Sequence, residues 1–151
     1  KGGNILISGA NIGTDVWDRV YPVKADSIYT ATTKAFVEKT LGYKWLTNYA
    51  SRSAMLWPVD NPMLSLLGMD RFGYSHDKNP VIYNVETPDG IIPASENGHT
   101  ILRYTDTNIS AGVCFQGDGY RTVSLGFPLE TVSDSRSLEA LIKEITAFFN
   151  K

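Results

Sequence analysis

The chain has 151 residues, enough for one domain with a real core, and 42% hydrophobic against 20% charged residues is ordinary globular composition. A net charge of −2 and the lack of any basic run exclude the electrostatic footprint of a nucleic-acid or anionic-membrane binder, and no apolar run is long enough to span a membrane. The single cysteine, Cys114, excludes an intrachain disulfide framework and a multi-cysteine metal site.

The chain opens Lys1-Gly2-Gly3, without a signal peptide, and enters a buried-type strand at once, which is the expected look of a piece of a longer protein. Asn4–Ser8 is a short continuous apolar run and predicts a strand buried on both faces, as in a parallel sheet. Gly9 to Gly13 makes a tight turn, and Thr14 or Asp15 can cap a short helix through Trp17. Thr30 to Leu41 predicts the first long helix, with Gly42 placed just after its end. Ala54–Pro58 reads as a second buried strand, and residues 59–80 form the longest irregular stretch.

From there the pattern is β-rich and antiparallel. Val81–Glu86 reads as a strand, Thr87-Pro88-Asp89-Gly90 as a turn, and Ile91-Ile92 continues outward. Ile101–Tyr104 is a strand, and Ile109–Gln116 and Tyr120–Phe127 flank the Gly117-Asp118-Gly119 turn of a hairpin. Leu138, Leu141, Ile142, Ile145, Phe148 and Phe149 share one helical face between Ser135 and Phe149, with Asp134 or Ser135 as N-cap and Glu139 in the first turn.

Two segments carry a resemblance. The strand Asn4–Ser8 with Gly9-Ala10-Asn11-Ile12-Gly13 resembles a nucleophile elbow, the strand-to-helix bend that lifts one side chain above a sheet beside free backbone N–H groups. The segment Arg121 to Glu130, ending Gly126-Phe127-Pro128-Leu129-Glu130, resembles the closing strand of a class I glutamine amidotransferase-like domain. In that family the bend carries a cysteine nucleophile, and the closing strand runs into His-Pro-Glu. Here Ala10 stands at the nucleophile position and Phe127 at the base position, and Glu130 is displaced by Leu129. The match covers about the first twenty and the last thirty residues, and the middle matches poorly. It is closest to the degenerate domains of secreted multidomain bacterial proteins, some labelled xanthan lyase-like.

The resemblance implies a three-layer α/β domain over residues 1–151, flavodoxin-like in the amidotransferase sense, with a mixed sheet and an antiparallel C-terminal section. It implies a C-terminal piece of its parent, with neighbouring strands supplied upstream of Lys1 or by a second copy of the chain. It also implies lost triad chemistry, since an orienting acid without its base does nothing.

The remaining chemical candidates are sparse. Cys114, in Ala111–Gly117, is followed by a turn and a strand rather than a helix, which makes it a buried strand residue rather than a nucleophile. His76 and His99 are the only histidines, without metal-ligand spacing, so no metal or cofactor is expected. Asn11, Gly13 and Asp15 follow the C-terminal end of a strand, where ligands bind in α/β sheets, and with Glu130 they are the candidate ligand-binding residues. Ser8 has no base in sight, and Asp15 and Asp18 are explained by capping and solvation.

Three functions compete. One is a non-catalytic accessory or interaction domain of a larger secreted protein, polysaccharide-related. Another is a polysaccharide hydrolase or lyase, which needs paired carboxylates. The third is a glycan-binding module using exposed faces of Trp17, Trp45 and Trp57. The Tyr- and Trp-rich aromatics, with abundant Asn, Thr and Ser, fit a secreted, periplasmic or cell-surface location, and the Asn108-Ile109-Ser110 sequon is read as chance.

Overall fold

The computed structural model describes residues 2–18, 27–66, 68–74 and 83–151. In chain order the elements are β1 (Ile5–Ser8), α1 (Thr14–Trp17), α2 (Ser27–Phe36), β2 (Tyr43–Thr47), β3 (Met55–Pro58), β4 (Phe72–Gly73), β5 (Gly90–Pro93), β6 (Gly98–Tyr104), β7 (Ser110–Gln116), β8 (Arg121–Leu125) and α3 (Ser135–Phe149). A mixed six-stranded sheet has the order β1-β8-β7-β6-β3-β4, and β2 and β5 form a separate two-stranded sheet. Among the described residues only β1 and β8 pair in parallel, and every other pairing is antiparallel.

Alternation along β8 explains where the core sits, because successive side chains leave a strand on opposite faces. Val123 and Leu125 join the main apolar cluster, with Leu141, Ile145 and Phe148 of α3. From the intervening positions, the Thr122 hydroxyl donates to the Leu41 carbonyl at 2.7 Å. Leu41 belongs to a second cluster with Val37, Tyr43, Ile91 and Val113, to which Ile7, Ile12, Val16 and Trp17 add. Around β7 and β8 the sheet is therefore covered on both faces.

The local signals for helix ends act as expected in two places. The Asp134 carboxylate accepts from Ser137 N at 2.8 Å and starts α3. Glu139 falls in the second turn, because the helix begins at Ser135. The predicted helix over Thr30–Leu41 begins earlier, at Ser27, and its last turn, Val37–Leu41, widens to a π-helical turn. Gly42 closes it at φ 80°, and a Cβ there would come within 2.1 Å of the Phe115 ring, so glycine is required twice over.

Three expectations need correction. β1 is not buried on both faces: Ile5 is 37% and Leu6 39% exposed, because β8 covers one edge and no described residue pairs the other. Ala54–Pro58 is half buried rather than buried, with Leu56 inward and Met55 and Trp57 outward, as an antiparallel strand allows. Of the expected strand Val81–Glu86, residues 81 and 82 lie outside the described residues, and 83–86 form no strand; Val85 alone of these enters the core. His76 also lies outside the described residues.

Candidate functional site

The chain bends between β1 and α1, with Ala10 in the turn. In the parallel register Ser8 is level with Leu125, and the Gly9 amide still donates to the Leu125 carbonyl at 3.2 Å. Ala10 and Phe127 thus each lie two residues beyond a matched pair, at the same end of two adjacent strands. Ala10 packs against the apolar cluster that holds Phe127. Phe127 is fully buried and stacks on Tyr74, with ring centroids 5.2 Å apart.

The bend is held by a residue far along the chain. Asp89 is 0% exposed. Its Oδ2 accepts from Gly13 N at 2.6 Å and Thr14 N at 3.0 Å. Its Oδ1 accepts from the Thr14 hydroxyl at 2.5 Å and from Trp45 Nε1 at 3.2 Å. The start of α1 is therefore capped not by Thr14 or Asp15 but by a carboxylate 76 positions from Gly13. Burial pushes the Asp89 carboxyl up from its ordinary range, against the pull of these four hydrogen bonds.

The main chain around Asp89 is fixed equally tightly. Its N–H donates to the Gly126 carbonyl at 2.8 Å, and its own carbonyl accepts from the Tyr104 hydroxyl at 2.9 Å. A Cβ on Gly126 would lie 2.0 Å from the Asp89 oxygen, so the two strand ends approach this closely only through glycine. At Gly13 a Cβ would meet the Trp45 ring at 2.5 Å. An elbow stabilises anions by offering paired N–H groups at a helix start. Here the pair at Gly13 and Thr14 already has its anion.

The other candidate residues lie around this bend. Asn11 is exposed and its Oδ1 accepts a long hydrogen bond, 3.5 Å, from the Thr87 hydroxyl. Gly13 is buried, and Asp15 is exposed to solvent. Glu130, exposed on the 3₁₀ turn Leu129–Thr131, accepts from the Tyr83 hydroxyl at 2.8 Å. Desolvation, then Glu130, pushes that phenol up to about 12. The Ser8 hydroxyl accepts from Leu129 N at 3.3 Å, with no histidine partner among the described residues.

Cys114 is buried in β7, and burial pushes its thiol up to about 12, which suppresses the thiolate a nucleophile needs. His99 is half buried on β6, level with Cys114. The three tryptophans differ in exposure: Trp17 and Trp45 are half buried, Trp45 bound to Asp89, and Trp57 on β3 is 37% exposed. Among the described residues no three His, Cys, Asp or Glu side chains gather as metal ligands, and no helix is long and apolar enough to cross a membrane.

No family model, curated protein or solved structure matches the chain. The residue that sequence reasoning missed is Asp89. In Pro88-Asp89-Gly90 an aspartate is an ordinary turn residue, and nothing local signals that it reaches across to the bend at Gly13.

Proposed function

We propose that the chain is a degenerate amidotransferase-like domain, three-layered and flavodoxin-like, that serves a larger secreted protein as a non-catalytic interaction domain. The observation that carries this reading is the pairing of β1 with β8. It leaves Ala10 and Phe127 each two residues beyond the register pair Ser8 and Leu125, which supports reading them as the substituted nucleophile and base positions of the resemblance. Neither side chain can do acid–base or nucleophilic chemistry. Asp89 fills the N–H pair that would otherwise receive an oxyanion. Cover on both faces of the sheet around β7 and β8 supports the layered architecture.

The interaction surface in this reading is the outer edge of β1. A continuous apolar run suits a strand flanked on both sides, yet Ile5 and Leu6 stand partly in solvent. The occupant is a β-strand of the parent protein outside these residues. In the isolated piece a second copy takes its place.

Ammonia release from glutamine tests the catalytic half. None is expected from the protein, nor from Ala10→Cys or Phe127→His alone, since each supplies half of a unit. Release by the unmodified protein above a heat-killed control overturns the non-catalytic reading. Light scattering tests the other half. The isolated piece should associate with rising concentration, and Leu6→Lys should disperse it. A monomer throughout a wide concentration range refutes the edge as the docking surface.

A further inference from the structure

A second concavity lies at the opposite end of the sheet from the bend, where the β7–β8 turn meets the β5–β6 turn. It is an open cleft of about 680 Å³. That size falls in the range of about 300–1,000 Å³ typical of small-molecule sites.

Its floor carries a fixed aromatic ring. Tyr120 lies over Gly117 so closely that a Cβ on Gly117 would sit 2.2 Å from the ring carbons. The Tyr120 hydroxyl reaches the Lys39 carbonyl at 3.4 Å, and Phe115 flanks the ring at a centroid distance of 6.2 Å. The ring is thus held from three directions before anything binds, which lowers the ordering cost of binding.

Polar groups of complementary kinds surround that ring. Asn97 and Gln116 supply amides, and Glu96 and Asp118 supply carboxylates. Among the described residues none of these four side chains makes a hydrogen bond within the protein. They come from two separate turns, yet their β6 and β7 segments are joined where Gln116 N donates to the Asn97 carbonyl at 3.1 Å. His99, level with Cys114 in the register, completes the wall.

This combination selects a ligand class. An anion meets two carboxylates against one lysine, Lys39, in the same lining. A purely apolar ligand strands the amides and carboxylates against it, at the cost of their hydration. A neutral sugar ring satisfies both requirements. Its C–H face lies on the aromatic ring, and its hydroxyls donate to carboxylates and exchange hydrogen bonds with amides. We infer that the cleft between the β5–β6 and β7–β8 turns is a carbohydrate-binding subsite, with Tyr120 as platform and Glu96, Asn97, Gln116 and Asp118 as hydroxyl partners. The inference does not rest on the amidotransferase-like reading. It also moves the sugar-binding role from the tryptophans to a tyrosine.

The test is an NMR titration of the intact chain with cellobiose, maltose, mannobiose and N,N′-diacetylchitobiose, each to about 50 mM, a concentration that detects weak, millimolar binding. Spermidine serves as a cationic control. At least one disaccharide should shift the side-chain amides of Asn97 and Gln116 and the rings of Tyr120 and His99. Tyr120→Ala should weaken that binding about tenfold or more, the expected loss of one stacking face. Tyr120→Phe, which keeps the platform, should retain it, and Gln116→Ala should weaken it with the rest of the spectrum unchanged. Absence of shifts with all four sugars overturns the inference. So do shifts that survive both Tyr120→Ala and Gln116→Ala, or a response to spermidine alone.

Discussion

Replacing Asp89 with asparagine isolates the lock on the bend, because it removes charge and one acceptor while leaving shape unchanged. The carboxylate gives two oxygens, each serving two donors. An asparagine must turn its NH₂ toward one of these pairs. Facing Gly13 N and Thr14 N, it strands two buried backbone donors. Facing Thr14 Oγ1 and Trp45 Nε1, it strands only the indole N–H, since the threonine hydroxyl can rotate. The second orientation is cheaper and costs about 1–3 kcal/mol for the stranded donor. The two backbone hydrogen bonds also lose their charge assistance, about 1 kcal/mol each. Relief of the buried charge, whose desolvation outweighs the hydrogen bonds in setting the direction of the shift, offsets part of this loss. The net is a loss of no more than about 3–5 kcal/mol, and at about 2–4 °C per kcal/mol a fall in Tm of up to about 10–20 °C for a chain of this size. Thermal and urea unfolding measure the loss, and the Trp45 indole proton resonance reports the broken contact directly. An Asn variant as stable as the parent, or more stable, would show that the bend is held by packing rather than by these hydrogen bonds.

Cys114 should react slowly with iodoacetamide in the folded protein and at the ordinary rate once unfolded, given its burial and raised thiol; rapid native labelling contradicts this. Gly126→Ala should cost more than about 1 kcal/mol, beyond a simple change of backbone freedom, because the new methyl meets the Asp89 carbonyl oxygen; a neutral outcome in urea unfolding rules out the close approach. Two aspartates should respond to pH in opposite senses. Hydrogen bonds from Arg52 N, the Ser51 hydroxyl and Ser53 N hold Asp106 below its ordinary range against desolvation, so its contribution is present above the unfolded value and lost as pH falls through the folded one. Asp89 is raised, so its contribution is fullest at low pH and is lost as pH rises through its folded value. The stability difference between the parent and Asp106→Ala should therefore shrink on acidification below about pH 4, and a difference that grows instead would reverse the assignment.

Much of the fold is legible where the deciding forces are local. The spacing of Leu138 to Phe149 and the cap at Asp134 place α3, Gly42 ends the first long helix, and the Gly117–Gly119 turn joins β7 to β8. The illegible parts are those set by partners distant in sequence. The apolar run of β1 states what the strand prefers, not what covers it, so its half-exposed edge cannot be read from its residues. Asp89 carries the signal of a turn, and its role arises only when β5 comes beside the bend. The same holds for the cleft at Tyr120, whose walls are exposed side chains on separate turns with no periodicity to mark them.

The side chain of Asn4 joins the two ends of the described fold: its Nδ2 donates to the Phe149 carbonyl at 2.8 Å, while its Oδ1 accepts from Arg121 N at 2.9 Å. A polypeptide arriving at β1 and one leaving α3 therefore enter and exit at a single spot. Such a unit can be spliced into a surface loop of a host domain without prising that loop apart, and it tolerates circular permutation once a short linker bridges the gap. The same geometry delays its assembly on the ribosome. β1 is synthesised early, yet among the described residues its strand partner is β8, so the first strand made is among the last to find its place.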